Sequence, residues 1–345
     1  MRQSPPGARL LAYHECVSSA SPPAPTAEME QIERHRPELT GYCYRMLASP
    51  FEAEDAVQET MLRAWRSIDR FEGRSALRSW LYKIATNVCL DMLSGRSRRA
   101  TPMDLGPARE PIAENLNARA EATWVEPIRD DALSGAEDPA EMVVRRETIR
   151  LAFVAALQHL PPRQRTALIL CEVLRWKAGE VAELLETSTA SVNSALQRAR
   201  ETVQTSELSD GAAASALGEP EKEFLERYVA AFEAYDIDAL TAVIAEDASQ
   251  SMPPYDLWLQ GREDIFTWWF GPGSECRGSK LLAAPRANGC VAYGQYKPSP
   301  SGARHDPWAL QVVELSDDGR VGRLTFFLDT ERLFPLFGLP PRLES

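Results

Sequence analysis

The spacing of apolar residues changes along the chain, and this change limits the folds that the chain can adopt. Within residues 28–100 and 142–205, apolar side chains recur every three or four residues, which places them on one face of a helix. Within residues 290–328 they fall in short β-rich runs instead, with Asp317, Asp318 and Gly319 as a predicted hairpin turn. The sequence therefore predicts a multidomain protein with two all-α regions followed by an α+β domain.

Length and composition limit the class of protein. A chain of 345 residues with 44% hydrophobic residues is long enough for two or three domains. The six cysteines form no CxxC motif and accompany no histidine cluster, so no metal site, disulfide framework or cofactor is predicted. No apolar run approaches the roughly 20 residues that cross a bilayer, which favours a cytoplasmic protein without a membrane partner.

Changes in periodicity and charge divide the chain into seven segments. They are a flexible N-terminal tail (1–27), a helical region (28–100), an acidic linker (101–141), a second helical region (142–206), a short linker (207–219), an α+β domain (220–333) and a C-terminal tail (334–345). The acidic linker carries ten acidic residues and three arginines. This charge and the absence of periodicity predict an irregular connection.

The second helical region contains a helix-turn-helix pattern. One helix is predicted over 143–157, and Pro161 and Pro162 separate it from the next. Two further helices, over 178–185 and 189–203, are joined by a three-residue turn, and Ser188 is placed to cap the second. In this motif the second helix enters a DNA major groove.

Residues 55–99 combine an acidic-amide helix face with a basic, aromatic-bearing run. Between Met61 and Ala100 there are nine Arg or Lys and three acidic residues, in a chain with a net charge of −12. The order of residues in DAVQETMLRAW and FEGRSALRSWLYKIATNVCLD resembles region 2 of the extracytoplasmic-function (ECF) sigma factors, which are initiation subunits of bacterial RNA polymerase.

The resemblance to region 2 implies two binding surfaces. Asp55, Gln58 and Glu59 are expected to dock on the clamp helices of the largest polymerase subunit, since carboxylates and an amide form charge-assisted hydrogen bonds with basic partners. The expected promoter-contacting residues include cations for phosphates, polar side chains for base edges and aromatics, Trp80 or Tyr82, for an unstacked base. The candidates are Arg74, Arg78, Trp80, Lys83, Asn87, Asp91, Arg96, Arg98 and Arg99.

The run VAELLETSTASVNSALQRARETV resembles sigma region 4, which implies contact with an upstream promoter element and with the flap of the second-largest polymerase subunit. Val192, Leu196 and Ala199 then face the core, and the DNA-binding candidates are Ser188, Asn193, Ser194, Gln197, Arg198 and Arg200. Glu186 replaces the usual turn glycine, which predicts a strained turn. Flanking phosphates could be contacted by Arg163, Arg165, Arg175 and Lys177.

Residues 224–269 read FLERYVAAFEAYDIDALTAVIAEDASQSMPPYDLWLQGREDIFTWW. This run resembles a SnoaL-like domain, in which long helices close a curved sheet into a cone with an apolar pocket. The candidate pocket residues are Met252, Tyr255, Trp258, Trp269, Tyr293, Trp308 and Phe326, and a small apolar ligand is a candidate occupant. No catalytic residue is predicted, because Asp256, His305, Asp306 and Asp329 show no spacing that distinguishes them from surface residues.

The leading interpretation is a non-enzymatic sigma factor that binds core polymerase and promoter DNA and that is regulated by its fused C-terminal domain. One alternative is a ligand-sensing DNA-binding regulator in which only the helix-turn-helix touches DNA, and it leaves residues 55–99 unexplained. The other is a SnoaL-like enzyme with accessory helices, which requires acid and base residues inside the cone.

Overall fold

A computed structural model of the protein describes residues 27–71, 76–119, 124–133, 148–205 and 219–344. Its first part contains the helices α1 (Ala27–Glu33), α2 (Arg36–Leu47), α3 (Pro50–Ser67) and α4 (Leu77–Leu93). Ser49 begins α3 by accepting a hydrogen bond from the backbone N–H of Glu52. The helical fold predicted for this part is confirmed. Residues 1–26 of the predicted tail lie outside the described residues.

The second helical part contains α5 (Leu151–Gln158), α6 (Pro162–Leu168) with a π-helical turn (Ile169–Val173), α7 (Ala178–Leu184) and α8 (Thr189–Thr205). The prediction of one continuous helix over 143–157 is wrong, because Arg150 has a ψ of 143°, which is not helical, and α5 begins only at the next residue. The cause lies in the C-terminal domain, because Asn288 binds the carbonyl of Ile149 and Glu314 pairs with Arg150 at 3.7 Å. Residues 134–147 and the short linker over 206–218 lie outside the described residues.

The C-terminal domain is the predicted α+β fold. Its elements are α9 (Glu219–Ala234), α10 (Ile237–Val243), β1 (Ile244–Ser251), β2 (Trp258–Gln260), α11 (Arg262–Phe270), β3 (Lys280–Ala287), β4 (Cys290–Pro298), β5 (Arg304–Leu315), β6 (Val321–Phe327), α12 (Thr330–Leu336) and β7 (Leu343–Glu344). The strand order is β2-β1-β6-β5-β4-β3, and β7 pairs with β5. The β1–β6 pair is parallel, whereas the other pairs are antiparallel.

The two faces of this curved sheet belong to different cores. Because side chains alternate along a strand, Val313 and Leu324 pack on the inner face with α9 and α11, whereas Val312 and Phe327 point outward. The outward residues join one continuous apolar cluster with both helical regions. The helical regions and the C-terminal domain are therefore packed together in a closed arrangement.

The predicted C-terminal tail over 334–345 is wrong for its described residues. Phe334 and Phe337 are only 2% and 1% exposed, and the Phe334 ring lies 5.1 Å from the ring of Tyr296. The sequence did not predict the helix α12, because it is too short to display a helical period and contains an internal proline, Pro335.

The hairpin between β3 and β4 inserts Asn288 between three segments of the chain. Asn288 and Gly289 have φ values of 53° and 77°, the left-handed conformation for which a two-residue Asn-Gly turn is favoured. The fully buried Asn288 amide donates to the Tyr44 hydroxyl at 2.7 Å and to the Ile149 carbonyl, and its oxygen accepts from the Ile128 N–H at 2.9 Å. One side chain thus connects α2, the linker and the segment before α5.

We expect Asn288→Gly to lower the free energy of unfolding by about 3 kcal/mol, because three buried partners lose their hydrogen bonds while glycine retains the left-handed backbone. Chemical denaturation measures this change. The exposed Asn117→Gly variant, which loses only a local bond to the Asn115 carbonyl, is the control. Equal effects of the two substitutions would contradict the role assigned to Asn288.

Candidate polymerase and promoter interfaces

The helix α3 presents a polar face to solvent. Asp55 and Gln58 are exposed, and Glu59 is partly exposed and accepts a bond from Arg63 at 2.7 Å. Leu62 and Trp65 continue this face and are 45% and 55% exposed. By their spacing from Val57 and Met61, Leu62 and Trp65 would be predicted to join an apolar helical stripe. In the structure they do not, and the buried stripe is Ala53, Ala56, Val57, Thr60, Met61 and Ala64.

The predicted base-reading residues of the first region lie on α4. Asn87 and Asp91 are both exposed and are one helical turn apart. The Asp91 carboxylate lies 3.6 Å from Arg63, with 71% of its side chain exposed. Both side chains are therefore accessible from solvent in this arrangement.

The predicted phosphate-binding cations are already paired with other residues. Arg78 donates to Glu38 at 2.8 Å and Arg96 to Glu52 at 2.7 Å. The other contacts are Lys83 with Glu186 at 2.8 Å, Arg99 with Glu52 at 3.1 Å and Arg98 with the His159 ring. Arg74 lies outside the described residues. DNA phosphates would have to replace these internal partners.

The two aromatic candidates have different environments. Trp80 is partly buried and its ring lies 5.1 Å from the ring of Phe71. Tyr82 is fully buried, 5.1 Å from the ring of Trp176 in the second helical region, with the Arg78 guanidinium near both rings. Burial raises the pKa of Tyr82, and its ring face is covered while the two regions remain packed.

The helix-turn-helix is formed by α7 and α8. Ser188 accepts a hydrogen bond from the Ser191 N–H at 3.1 Å, so the predicted cap is present. Val192, Leu196 and Ala199 are buried, as predicted for the core face. The exposed residues of α8 include Asn193, Ser194, Gln197, Arg198 and Arg200. Arg200 contacts Glu172, and Gln197 donates to Glu201 at 3.1 Å.

Glu186 has two roles at the turn before α8. Its φ of 53° confirms the predicted strain, because a side chain at positive φ is unfavourable without the freedom of glycine. Its carboxylate also accepts a hydrogen bond from Lys83 of α4, which lowers the pKa of Glu186. The residue that departs from the expected glycine thus links the two helical regions.

Arg165 anchors the second helical region to the first. It is 3% exposed and donates to the Met46 carbonyl of α2 and to the Gln158 side chain. Burial lowers the pKa of Arg165 to about 10. The expectation that Arg165 contacts a flanking phosphate is therefore wrong, since its guanidinium is inside the interface, whereas Arg163, Arg175 and Lys177 are exposed.

The linker is fixed along the C-terminal domain by its arginines. Asp256, 4% exposed, receives hydrogen bonds from Arg119 at 3.0 and 3.3 Å and from Arg109 at 3.3 and 3.5 Å. Gly106 accepts a bond from the Trp258 indole at 2.8 Å. Asp256, a potential acid or base in the enzyme alternative, therefore serves as the counter-ion of the linker.

The aromatic set predicted to line one pocket is divided among different sites. Trp269, Tyr293 and Phe326 belong to the core between the inner face of the sheet and the helices α9 and α11. The Trp269 and Phe326 ring centroids are 6.5 Å apart, and Met252 packs against this core. Tyr255 and Trp308 line a cleft of about 510 Å³ that is shared with Trp124 of the linker. Trp258 lines another cavity, between the sheet and α5. Expecting these seven residues to surround one ligand is therefore wrong.

Among the described residues, no group of three or more His, Cys, Asp and Glu side chains is placed to hold a metal ion. Within the same residues, no helix is long and apolar enough to cross a membrane.

Comparison with known proteins finds two family models in the helical part. Sigma-70 region 2 matches residues 31–99, and Sigma-70, region 4 matches residues 150–203. The ECF RNA polymerase sigma factor SigG of Mycobacterium tuberculosis is 47% identical over 317 residues, which cover 90% of this chain and 83% of SigG. SigJ of the same organism is 29% identical over 225 residues, which cover 64% of each chain.

A solved structure matches nearly the whole fold. The crystal structure of Mycobacterium tuberculosis SigJ has a TM-score of 0.57 and 22% identity, and the match covers 92% of this chain and 100% of that one. Two sigma-type regions on one chain define a transcription initiation factor. The chain belongs to the ECF family of RNA polymerase sigma factors, which confirms the resemblance seen in the sequence.

We expect Asp256→Asn to lower the free energy of unfolding by about 2 to 3 kcal/mol. The loss should be smaller than for breaking a fully buried ion pair, because both arginines are partly exposed. The linker should also become more sensitive to proteolysis. Denaturation and limited proteolysis measure the two effects. Asp306→Asn, which alters an exposed pair with Arg304, is the control and should change neither.

Proposed function

We propose that this sigma factor docks on core RNA polymerase through the exposed face of α3 and directs promoter recognition through α4 and α8. Asp55, Gln58 and Glu59 supply acceptors for basic groups on the clamp helices of the largest subunit. Leu62 and Trp65 add an exposed apolar contact, of the kind that marks protein interfaces. The second region completes the assembly at the flap of the second-largest subunit.

Promoter binding is assigned to the exposed polar residues of α4 and α8. Asn87 and Asp91 would meet exposed base edges, while Asn193, Gln197 and Arg198 would read a major groove. The cations Arg78, Lys83, Arg96, Arg98 and Arg99 would bind phosphates. Arg74 and Trp80 complete the proposed downstream contact, and Ser188, Ser194 and Arg200 the upstream one.

The closed arrangement supports a regulatory role for the C-terminal domain. The single observation that carries this role is the Asn288 hairpin, which binds the first helical region, the linker and the second helical region together. While they are joined, Lys83 is neutralised by Glu186 and the Tyr82 ring is covered by Trp176. We infer that the two DNA-binding regions separate before both promoter elements are bound, a shift between two populated states.

The α3 face can be tested in isolation from DNA. Replacing Asp55, Gln58 and Glu59 with alanine should weaken binding to core polymerase by roughly 10-fold or more, because charged acceptors are lost from the contact. Fluorescence anisotropy with purified core polymerase measures the affinity. Glu223→Gln is the control, since Glu223 is exposed on α9 and lies outside the α3 face. An unchanged affinity of the triple variant would exclude this docking face.

The Lys83–Glu186 pair can be tested with promoter DNA. Glu186→Gln keeps the size of the side chain but removes its charge, so Lys83 becomes available to a phosphate and promoter complexes should form several-fold faster. Little change in stability is expected because the pair is exposed. The readout is the rate of run-off transcription by the reconstituted holoenzyme, with the exposed Glu183→Gln variant on α7 as control. If both variants behave alike, the pair does not limit promoter binding.

A further inference from the structure

A cavity of about 540 Å³ separates the outer face of the sheet from α5, and its volume falls in the range of small-molecule sites. It lies outside the cone, on the opposite face of the sheet. Its walls come from the C-terminal domain, the linker and the second helical region, so the cavity exists only in the closed arrangement.

The wall formed by the sheet is polar because of the strand register. One row across four adjacent strands contains Glu314, Arg323, Ser249 and Gln260. The next row contains Thr325, Ser251 and Trp258, and all seven of these residues line the cavity. Since residues two apart on a strand share a face, the two rows form a continuous polar surface.

The opposite wall is mainly apolar. Leu151, Ala152, Ala155 and Ala156 of α5 lie at helical spacing along the cavity, followed by His159. The His159 ring is held between Arg98 and Asp104, with 2.8 Å to the Asp104 carboxylate. A polar wall therefore faces an apolar wall across a space large enough for a small molecule.

The Glu314 side chain, which lines the cavity, has a buried carboxylate oxygen without a hydrogen-bond donor among the described residues. It is 7% exposed, and no described residue gives its Oε1 atom a hydrogen bond. Its nearest cations, Arg150 at 3.7 Å and Arg323 at 3.9 Å, are too far away to donate a hydrogen bond, and the Nε of Arg323 is likewise unpaired among the described residues. A buried carboxylate in this state is costly unless another group supplies the missing donor.

We propose that this interdomain cavity binds a neutral polyhydroxylated molecule of about one or two sugar rings. A hydroxyl group both donates and accepts, so one hydroxyl can donate to Glu314 and accept from Arg323 without altering the balance of charge. The hydroxyls of Ser249, Ser251 and Thr325 extend the same polar edge. The alanines of α5 and the Trp258 ring, which is fixed by its bond to Gly106, accommodate an apolar ring face.

Binding at this site would stabilise the closed arrangement, because the ligand would contact α5 and the sheet together. This regulatory consequence rests on the proposed function, whereas the binding itself does not. The two are separable, since calorimetry reports occupancy and transcription reports its effect. Binding without an effect on transcription would contradict the regulatory role and leave the site intact.

Isothermal titration calorimetry of the full chain with glucose and maltose tests the site. We expect saturable binding, weakened at least 10-fold by Glu314→Gln and several-fold by Ser251→Ala, and abolished by Ala152→Phe, which fills the cavity from the α5 side. Amide exchange should map the protection to α5, β5 and β6. The exposed Glu223→Gln variant on α9 is the control and should bind as the original chain does.

Two outcomes would overturn the proposal. One is the absence of saturable binding by both sugars, and the other is binding that all three cavity variants leave unchanged. Preferential binding of lysine or glutamate, titrated in parallel, would show that the cavity selects a charged molecule and would contradict the neutral class. Circular dichroism of each variant distinguishes lost binding from lost folding.

Discussion

The insertion of one hairpin between the two sigma regions is the constraint on which the rest of the structure depends. The Asn288 side chain can satisfy Tyr44, Ile128 and Ile149 only if α2, the linker and the segment before α5 meet at one point. These bonds are buried, so breaking them without replacement leaves polar groups unpaired in a low-dielectric interior. The hairpin therefore favours one closed arrangement over a set of loosely tethered domains.

The closed arrangement determines which functional groups are available. The α3 face proposed to dock on polymerase is exposed, as are Asn87 and the face of α8 proposed to contact DNA. The cations of the first region that are proposed to bind phosphates are, among the described residues, paired with carboxylates or with His159. Arg165 is buried as part of the interface. The closed arrangement thus leaves the proposed polymerase-docking face accessible while the proposed phosphate-binding cations have internal partners. This difference is the proposed means by which the C-terminal domain regulates promoter binding.

The sequence predicted the helical regions, the helix-turn-helix, the cap at Ser188 and the α+β class, because these depend on local periodicity and turn chemistry. The sequence did not predict features that depend on contacts between residues far apart in the chain. Leu62 and Trp65 fit a helical stripe, yet only tertiary packing shows that they lie on the exposed side of α3. Asp256 resembled a surface or catalytic carboxylate because its partners, Arg109 and Arg119, are more than 130 residues away in sequence.

The linker illustrates the same limit. Its negative charge predicted an irregular connection but gave no sign of the contacts made by its three arginines, two with Asp256 and Arg129 with Asp131 and the Leu336 carbonyl. The two polar rows of the interdomain cavity could not be predicted from the sequence either, since they depend on the register of four strands. Composition reports average charge, whereas the fold depends on where individual charges find partners.

We expect the two sigma regions to be joined in the free protein and to separate on the promoter. Spin labels at the exposed positions Gln31 on α1 and Glu183 on α7, attached through unnatural amino acids, allow double electron–electron resonance to measure the distance between the regions. We expect a single short distance in the free chain and a clearly longer one in the complex with core polymerase and promoter DNA. The same distance in both states would contradict this expectation.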